Sequence, residues 1–252
     1  MTSRWPTILW LVRHGQSAGN VARDAAHAEK LVRIPVSGRD VDVPLSPLGQ
    51  EQAQALGHWF SRSAERPDVL LSSSYLRSRQ TATVFRDAGG CRADIPICVD
   101  ERLREKEFGV LDGLTTDGVG VIYPEQAEFR RILGKFYHRP PGGESWADVI
   151  LRLRSLLDTV SLHHAERRVM IVAHQVVVLC LRYILESLDE SEILAIDRTG
   201  DVANCSITEY RLDVAQGPNG KLALQAYNVT APIVSAGAQV TSAPEPIQAI
   251  RG

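Results

Sequence analysis

The stretch TILWLVRHGQSAGN, residues 7–20, decides the fold of this chain. Its first half is an unbroken apolar run, Ile8–Val12, which changes abruptly to the triplet Arg13–Gly15. A continuous apolar run of this length predicts a strand that is buried on both faces, as in a parallel sheet. Ser17 then predicts the N-cap of a helix. The stretch therefore predicts a strand, a tight turn and a helix, with a cation and an imidazole where the strand ends.

The rest of the chain alternates apolar strands with amphipathic helices. Further strands are predicted at residues 69–71, 97–99, 169–173, 207–212 and 222–229. Helices are predicted to begin after Ser46, which precedes a proline, and after Ser145, which forms a capping box with Asp148. Strands that alternate with helices are typical of an α/β domain whose central sheet is mostly parallel.

The pattern predicts one domain over residues 1–230 with two long connections inside it. The connections lie at about residues 23–43 and 114–141, and both are expected to pass over the edge of the sheet. Residues 231–252 turn to alanine, proline, glutamine, serine and threonine without periodicity. That composition predicts an extended or disordered tail.

The composition is that of a globular protein and excludes several classes. Of the 252 residues, 44% are hydrophobic and 23% are charged, enough to bury a substantial core. A net charge of -2 gives no reason to expect nucleic acid as a partner. The four cysteines have neither CxxC nor zinc-finger spacing, so we expect buried free thiols in a reducing compartment. The N-terminal apolar run is too short for a signal peptide or a membrane span, which favours a soluble cytoplasmic protein without a membrane partner.

Three of the predicted strands end in residues that suit an anionic ligand. Arg13 and His14 follow the first strand. Arg77 comes shortly after the second strand, and His174 follows the fourth. Carboxyl ends of parallel strands lie on one edge of a sheet, so these side chains are expected to converge. Arginine forks bind phosphate oxygens in bidentate geometry, and a helix N-terminus after Gly15 is expected to add backbone donors. The convergence therefore suits a phosphoryl dianion.

Six blocks occur in a characteristic order along the chain: LVRHGQSAGN, DVPLSPLGQEQAQALG, LLSSSYLRSRQTA, LREKEFGVLDG, PGGES and VMIVAHQ. Together they resemble the histidine phosphatase superfamily, in the branch with the arginine-histidine-glycine motif, which includes the cofactor-dependent phosphoglycerate mutases. The resemblance extends over residues 8–229, which is most of the chain. It implies a phosphoglycerate mutase-like fold, a three-layer α/β/α sandwich with a mostly parallel central sheet.

The resemblance also implies a mechanism without a metal or a cofactor. His14 is implied to be the nucleophile that takes the phosphoryl group as phosphohistidine. Arg13, Arg77 and His174 are implied to hold the phosphoryl oxygens and to supply the positive charge. Asn20 is implied to donate a further hydrogen bond to the same group.

The remaining roles have competing candidates. Glu105 is implied to protonate the leaving alkoxide and then to activate water, with Glu101 and Glu107 as the competing carboxylates. Gln16 and Ser17 are weaker candidates for phosphate binding. Their backbone amides either contact the phosphate or have a structural role, and the sequence does not distinguish the two.

Departures from the family's pattern bear on the reaction. Gln175 stands where the family usually has glycine, so its side chain is expected to narrow the pocket or to touch the leaving group. The mutase-like members usually carry Trp-Asn, Tyr-Gly and Asn-Ser pairs where this chain has Gly19–Asn20, Phe108–Gly109 and Val176–Val177. We therefore expect a phosphatase that hydrolyses a phosphate monoester on a small-molecule or other phosphorylated substrate. A phosphoglycerate mutase and a catalytically silent phospho-ligand binder are the alternatives, and a homodimer is one alternative for its assembly.

Overall fold

All the predicted strands are present in the computed structural model, which describes residues 4–242. They are β1 (Ile8–Arg13), β2 (Val69–Ser72), β3 (Ile97–Val99), β4 (Arg168–Ala173), β5 (Ile207–Asp213) and β6 (Lys221–Val229). They form one sheet in the order β3-β2-β4-β1-β5-β6. The first four strands of this order run parallel, β5 is antiparallel to β1, and β6 is antiparallel to β5.

Helices cover both faces of this sheet. They are α1 (Ala18–Ala28), α2 (Pro47–Ser61), α3 (Leu76–Asp87), α4 (Thr116–Ile122), α5 (Pro124–Tyr137), α6 (Trp146–His163), α7 (Gln175–Glu186), α8 (Glu190–Thr199) and α9 (Ala231–Ser235). One face packs against α6 and α7 and the other against α2 and α3, which confirms the three-layer α/β/α sandwich. The predicted N-caps Ser17, Ser46 and Ser145 are confirmed. Among residues 4–242, no helix is long and apolar enough to cross a membrane.

β1 is buried on both faces, as its unbroken apolar run predicts. Leu9 and Leu11 belong to the core layer of α6 and α7, whereas Trp10 belongs to the layer of α2 and α3. The ring of Trp10 meets that of Phe60 edge-on, with centroids 5.2 Å apart. Full burial of a large apolar side chain contributes about 1.5–3 kcal/mol of transfer free energy. The strand that delivers the site residues is therefore also the centre of the core.

The four parallel strands end level with one another. Arg13, the last residue of β1, pairs with Ala173, the last residue of β4. Ser72, the last residue of β2, pairs with Val172 of β4 and with Val99, the last residue of β3. The loops that follow the four strand ends therefore meet on one side of the molecule. We call this set the carboxyl edge, which comprises residues 14–17, 73–75, 100–109 and 174–175.

The turn from β1 into α1 depends on two glycines that pack against each other. A Cβ atom at Gly15 would lie 2.4 Å from the carbonyl oxygen of Gly49 in α2. A Cβ atom at Gly49 would lie 1.9 Å from the carbonyl oxygen of Gln16. Neither position can carry a side chain without moving the backbone, so close packing against α2 explains the glycine after His14.

The first of the two long connections differs from the expectation, and the second keeps its bounds. Arg23 lies inside α1, so the first connection comprises residues 29–46 rather than 23–43. The second, residues 114–141, is mostly helical because it contains α4 and α5. Thr115 caps α4, and Pro124 occupies the first turn of α5. We call residues 29–46 the first connection and residues 114–141 the helical excursion.

Two smaller expectations also need correction. The tail predicted to be extended or disordered begins with a helix, α9, because Ile233 is buried in the core layer of α2 and α3. The part of the tail at residues 243–252 lies outside the described residues. Cys98 is exposed rather than buried, since it lies on β3 at the edge of the sheet. The other three cysteines are buried free thiols, as predicted.

Candidate active site

His14 directly follows β1 at the carboxyl edge and is fully buried. Its backbone N–H donates to the carbonyl oxygen of Ala173 at 2.9 Å. This hydrogen bond fixes the position of the His14 backbone next to the end of β4. Its ring Nδ1 lies 2.7 Å from the carbonyl oxygen of Gly15. A carbonyl oxygen can only accept a hydrogen bond, so Nδ1 carries the proton. Nε2 is therefore the ring nitrogen with the lone pair, as a nucleophile requires.

Arg77 approaches the same nitrogen from α3. Its side chain is only 3% exposed, and its Nε donates to Nε2 of His14 at 3.3 Å. Because a guanidinium can only donate, this contact supports the neutral tautomer of His14. The guanidinium carbon lies 4.8 Å from the ring centroid of Tyr75, which packs against its plane. Arg77 is thus placed to bind an anionic group that approaches Nε2.

His174 follows β4 and lies beside His14. The two ring centroids are 5.1 Å apart, and the planes are inclined by 63°. Nε2 of His174 lies 2.8 Å from the hydroxyl oxygen of Ser73, and the ring of Tyr75 packs edge-on against it. The structure therefore brings together three of the predicted site residues, from the ends of three adjacent parallel strands.

Arg13 and Gln175 form a buried pair behind His14. Nη1 of Arg13 donates to the side-chain oxygen of Gln175 at 3.1 Å and to the carbonyl oxygen of Val202 at 2.6 Å. The side-chain amide of Gln175 donates in turn to Asp201 at 2.9 Å. Gln175 therefore positions Arg13, a contact that the sequence analysis did not predict.

Glu105 is fully buried at the carboxyl edge, shortly after β3. One of its carboxylate oxygens accepts from the backbone N–H of Lys106 at 2.8 Å. The competing carboxylates of Glu101 and Glu107 line an open cleft instead, where each accepts a hydrogen bond from a hydroxyl group. Burial at the same edge as His14 therefore favours Glu105 as the proton donor.

A basic residue, Lys106, directly follows Glu105. Burial, together with the charge of Arg130, lowers the pKa of Lys106 to about 8, while the neighbouring Glu105 acts to raise it. Burial and the charges of Arg130 and Lys106 also lower the pKa of His138 to about 4. The pKa values of both basic groups are thus lowered, and Lys106 is the one that interacts with Glu105.

The start of α1 offers a ligand fewer backbone donors than expected. The N–H of Gly15 donates to a threonine hydroxyl, and that of Gln16 to a glutamine side chain of α2. The N–H of Ser17 donates to the side-chain oxygen of Asn20. Of the two alternatives for Gln16 and Ser17, the structure favours the structural role. The side-chain oxygen of Asn20 accepts hydrogen bonds from Ser17 in the capping box of α1. Its side-chain nitrogen Nδ2 is therefore the atom that would donate to a ligand.

Asp40 is a site residue that the sequence analysis missed. Its carboxylate accepts from both Nη groups of Arg77, each at 3.0 Å, and its carbonyl oxygen accepts from Nη1 at 2.7 Å. Arginine binds phosphate with the same two-pronged geometry, so Asp40 occupies Arg77 in the way that a phosphate group would. The sequence contained one indication of this role: Asp40 lies in a connection that is expected to pass over the edge of the sheet, where the site residues lie.

A small cleft of about 80 Å³ lies beside Arg77. Asn20 and Arg77 line it together with Asp40 and Asp112. Arg23, on α1 one turn after Asn20, lines it too. Arg23 was missed as a site residue, although two polar residues three positions apart on a helix share one face.

The candidate site contains positive side chains rather than a set of metal ligands. Within residues 4–242, no group of three or more histidine, cysteine, aspartate or glutamate residues is arranged to hold a metal ion. Its positive groups, Arg13 and Arg77, are of the kind that binds a phosphoryl dianion.

The family model of the histidine phosphatase superfamily, branch 1, matches residues 9–219 of this chain. The chain belongs to this superfamily, as the six sequence blocks predict. The matched range includes His14, Asn20, Arg77, Glu105 and His174.

Similar proteins include both mutases and phosphatases. The chain is 30% identical over 188 residues to a 2,3-bisphosphoglycerate-dependent phosphoglycerate mutase of Methylobacterium radiotolerans, a match that covers 74% of this chain and 82% of the mutase. It is 28% identical over 221 residues to a 6-phosphofructo-2-kinase/fructose-2,6-bisphosphatase of Caenorhabditis elegans, which covers 84% of this chain but only 43% of that longer protein. A solved mycobacterial glucosyl-3-phosphoglycerate phosphatase complexed with VO3 matches with a TM-score of 0.66 at 26% identity, over 88% of this chain and 99% of that one.

Proposed function

We propose that this protein is a metal-independent phosphatase that hydrolyses a phosphate monoester through a phosphohistidine on His14. The observation that carries the proposal is the hydrogen bonding of the His14 ring. Nδ1 donates to the carbonyl oxygen of Gly15, and Nε2 keeps its lone pair beside Arg77. With Nδ1 held as the protonated nitrogen, Nε2 is the atom that attacks phosphorus once the substrate takes over its hydrogen bond from Arg77.

In the first step, Nε2 of His14 attacks phosphorus and the bond from phosphorus to the ester oxygen breaks. Glu105 donates a proton to that oxygen, so the alcohol leaves neutral. Arg13, Arg77 and His174 bind the three phosphoryl oxygens, whose charge is redistributed in the transition state. Each such positioned donor is typically worth about 3–4 kcal/mol.

In the second step, the ionised Glu105 takes a proton from a water molecule. The water oxygen attacks phosphorus, and the bond from phosphorus to Nε2 of His14 breaks. Inorganic phosphate leaves, and both side chains return to their starting protonation states. The ammonium of Lys106 beside Glu105 stabilises the carboxylate between the two steps.

The substrate we propose is a phosphorylated small molecule of the cytoplasm. The four cysteines are free thiols, and an exposed free thiol such as Cys98 suits a reducing compartment. The similar mycobacterial phosphatase carries a phosphorylated, sugar-containing acid in its name, which is a substrate of this chemical kind. Positive charge from arginines makes a metal ion unnecessary for this reaction.

Phosphate release from a panel of esters tests this proposal. The panel contains p-nitrophenyl phosphate, glycerol 3-phosphate, sugar phosphates and 3-phosphoglycerate, the last with and without 2,3-bisphosphoglycerate. We expect release of inorganic phosphate in the absence of 2,3-bisphosphoglycerate, at a rate that excess EDTA leaves unchanged. A strong loss of rate with EDTA would contradict metal independence.

Two other outcomes would replace the proposal. Interconversion of phosphoglycerates that depends on 2,3-bisphosphoglycerate, without release of phosphate, would identify a mutase, the activity of one similar protein. Absence of turnover on every ester, with vanadate or phosphate still binding, would identify a catalytically silent phospho-ligand binder.

A further inference from the structure

Arg23 is a buried arginine with few partners inside the protein. It lies on α1, one turn after Asn20, and is only 1% exposed. Within residues 4–242, its Nε and Nη1 have no hydrogen-bond partner. Its Nη2 has one contact, at 3.3 Å, with a carboxylate oxygen of Asp24, whose side chain is 54% exposed.

A guanidinium buried in this way is costly. Arginine stays protonated at all ordinary pH values, so it cannot escape the cost by losing its charge. Its donors lose their hydration on burial, and buried polar groups in proteins are nearly always hydrogen-bonded. Asp24 is the next residue of the helix and faces solvent, so it offsets little of this cost. An anionic ligand would supply the missing acceptors.

The surroundings of Arg23 show where such a ligand lies. Arg23 lines the same cleft as Arg77, which binds the phosphoryl group in the proposed mechanism, and as Asn20, which the sequence analysis assigns to the same group. Two acids also line the cleft, but the carboxylate of Asp40 is bound to Arg77. Burial and the charge of Asp40 raise the pKa of the other acid, Asp112. Within the described lining, neither acid hydrogen-bonds to Arg23, so the solvent-facing Asp24 is the acid that offsets its charge.

We propose that Arg23 binds a second anionic group of the substrate, a carboxylate or a second phosphate, while the reacting phosphoryl group lies at Asn20 and Arg77. Residues one helical turn apart are about 5–6 Å apart at Cβ. That separation suits two anionic groups at opposite ends of a short carbon chain. The planar fork of arginine binds either kind of group. This inference rests on the proposed function, which assigns the reacting phosphoryl group to the neighbouring position.

Ligand pairs that differ by one anionic group test the inference in protein that carries His14→Ala, which turns no substrate over; wild type here means the native residue at position 23. Calorimetric titration compares 3-phosphoglycerate with glycerol 3-phosphate, and fructose 1,6-bisphosphate with fructose 6-phosphate. We expect the wild-type protein to prefer the more anionic member of a pair by about tenfold or more. The pair that shows the preference tells whether the second group is a carboxylate or a phosphate.

Variants then assign the preference to Arg23. We expect Arg23→Gln to bring the affinity ratio close to one. Arg23→Lys keeps the charge but loses the fork, so we expect an intermediate ratio. Arg92→Gln is the matched control, because Arg92 is 76% exposed and precedes β3, away from the carboxyl edge. It removes the same charge and should leave the ratio unchanged.

An equal ratio in wild type and in Arg23→Gln would overturn the inference, as would equal wild-type affinity within both pairs. If Arg23→Gln fails to fold by circular dichroism, Arg23→Lys decides, and an unchanged ratio there overturns the inference. Because these are binding measurements, they are separable from hydrolysis. A preference that depends on Arg23, with no phosphatase activity in the protein that keeps His14, would refute the proposed function and leave the role of Arg23 intact.

Discussion

The carboxyl edge and the first connection that borders it are built in different ways. At the edge, His14 and His174 follow directly from paired parallel strands, and the backbone of His14 is hydrogen-bonded to the end of β4. The first connection contains one 3-10 turn, Asp40–Asp42, and two isolated β-bridges, at Arg33 and at Leu45. It reaches the site through the side chain of Asp40 on Arg77. His14 and His174 are thus placed by paired strands of the sheet, whereas Asp40 is placed by a connecting segment outside the sheet.

The largest expected effect comes from the nucleophile at the carboxyl edge. We expect His14→Ala to lower kcat by about 10⁴-fold or more, because no phosphohistidine can form. Phosphate release at saturating substrate measures the loss, and circular dichroism shows that the fold survives. His163→Ala, at the exposed end of α6, is the control and should keep wild-type turnover. If His14→Ala kept activity within tenfold of wild type, His14 would not be the nucleophile, and the carboxyl edge would not be the part of the molecule that carries the chemistry.

Arg77 joins the two regions, since it binds both His14 and Asp40. We expect Arg77→Ala to lower kcat/KM by about 10²–10³-fold, the loss of roughly 3–4 kcal/mol of transition-state stabilisation. Steady-state kinetics on any substrate that is turned over would measure it. Arg79 lies two positions later and is exposed, so Arg79→Ala should be close to wild type. Equal effects of the two variants would rule out a specific role for Arg77.

Asp40 allows a test in which substrate binding is expected to improve, because the substitution removes the contact of the first connection with Arg77. We expect Asp40→Asn to lower KM by about fivefold with little change in kcat, because a partly exposed ion pair worth about 1 kcal/mol no longer competes for Arg77. Inhibition by inorganic phosphate or vanadate should strengthen in parallel. Asp42→Asn, in the same turn but paired with Arg39, is the control. A higher KM in Asp40→Asn alone would mean that Asp40 holds Arg77 in place for the substrate.

The helical excursion should affect stability rather than turnover. The pKa of His138 falls from 6.5 to about 4 in the folded protein, so between these values the unfolded state binds more protons. Stability rises with pH wherever the unfolded state binds more protons, so acidification from about pH 6.5 to 4 should cost up to about 3 kcal/mol through this residue. Urea unfolding of wild type and His138→Gln at about pH 7 and pH 4.5 measures it. His163→Gln is the control, and the same pH dependence in all three proteins would contradict the expectation.

The carboxyl edge could be predicted well because its signals are local. The apolar run Ile8–Val12 predicts a buried strand, and β1 occupies almost the same residues. Caps such as Ser145 depend on side chains within one turn, so short patterns identify them. The parallel register then brings His14 and His174 together, since strands of one sheet end on one edge.

The first connection and its contacts could not be predicted in the same way. The pairing of Arg77 with Asp40 joins residues 37 positions apart through a segment without periodicity. Arg23 was assigned to the connection because the end of α1 has no strong stop signal, and helix ends are the least certain feature of a sequence pattern. The role of Gln175 depends on Asp201, from a distant part of the chain. These contacts join residues that are distant in sequence, so the spacing of residues along the chain does not predict them.

The most direct test concerns the passage of the phosphoryl group through Nε2 of His14. The protein is mixed with a labelled phosphate ester, quenched rapidly in alkali, and mapped by mass spectrometry of its peptides. The mechanism requires a phosphoryl label on the peptide that contains His14, stable in alkali and lost in acid, which forms at least as fast as turnover. Turnover without any label, or a label on another residue, would contradict it.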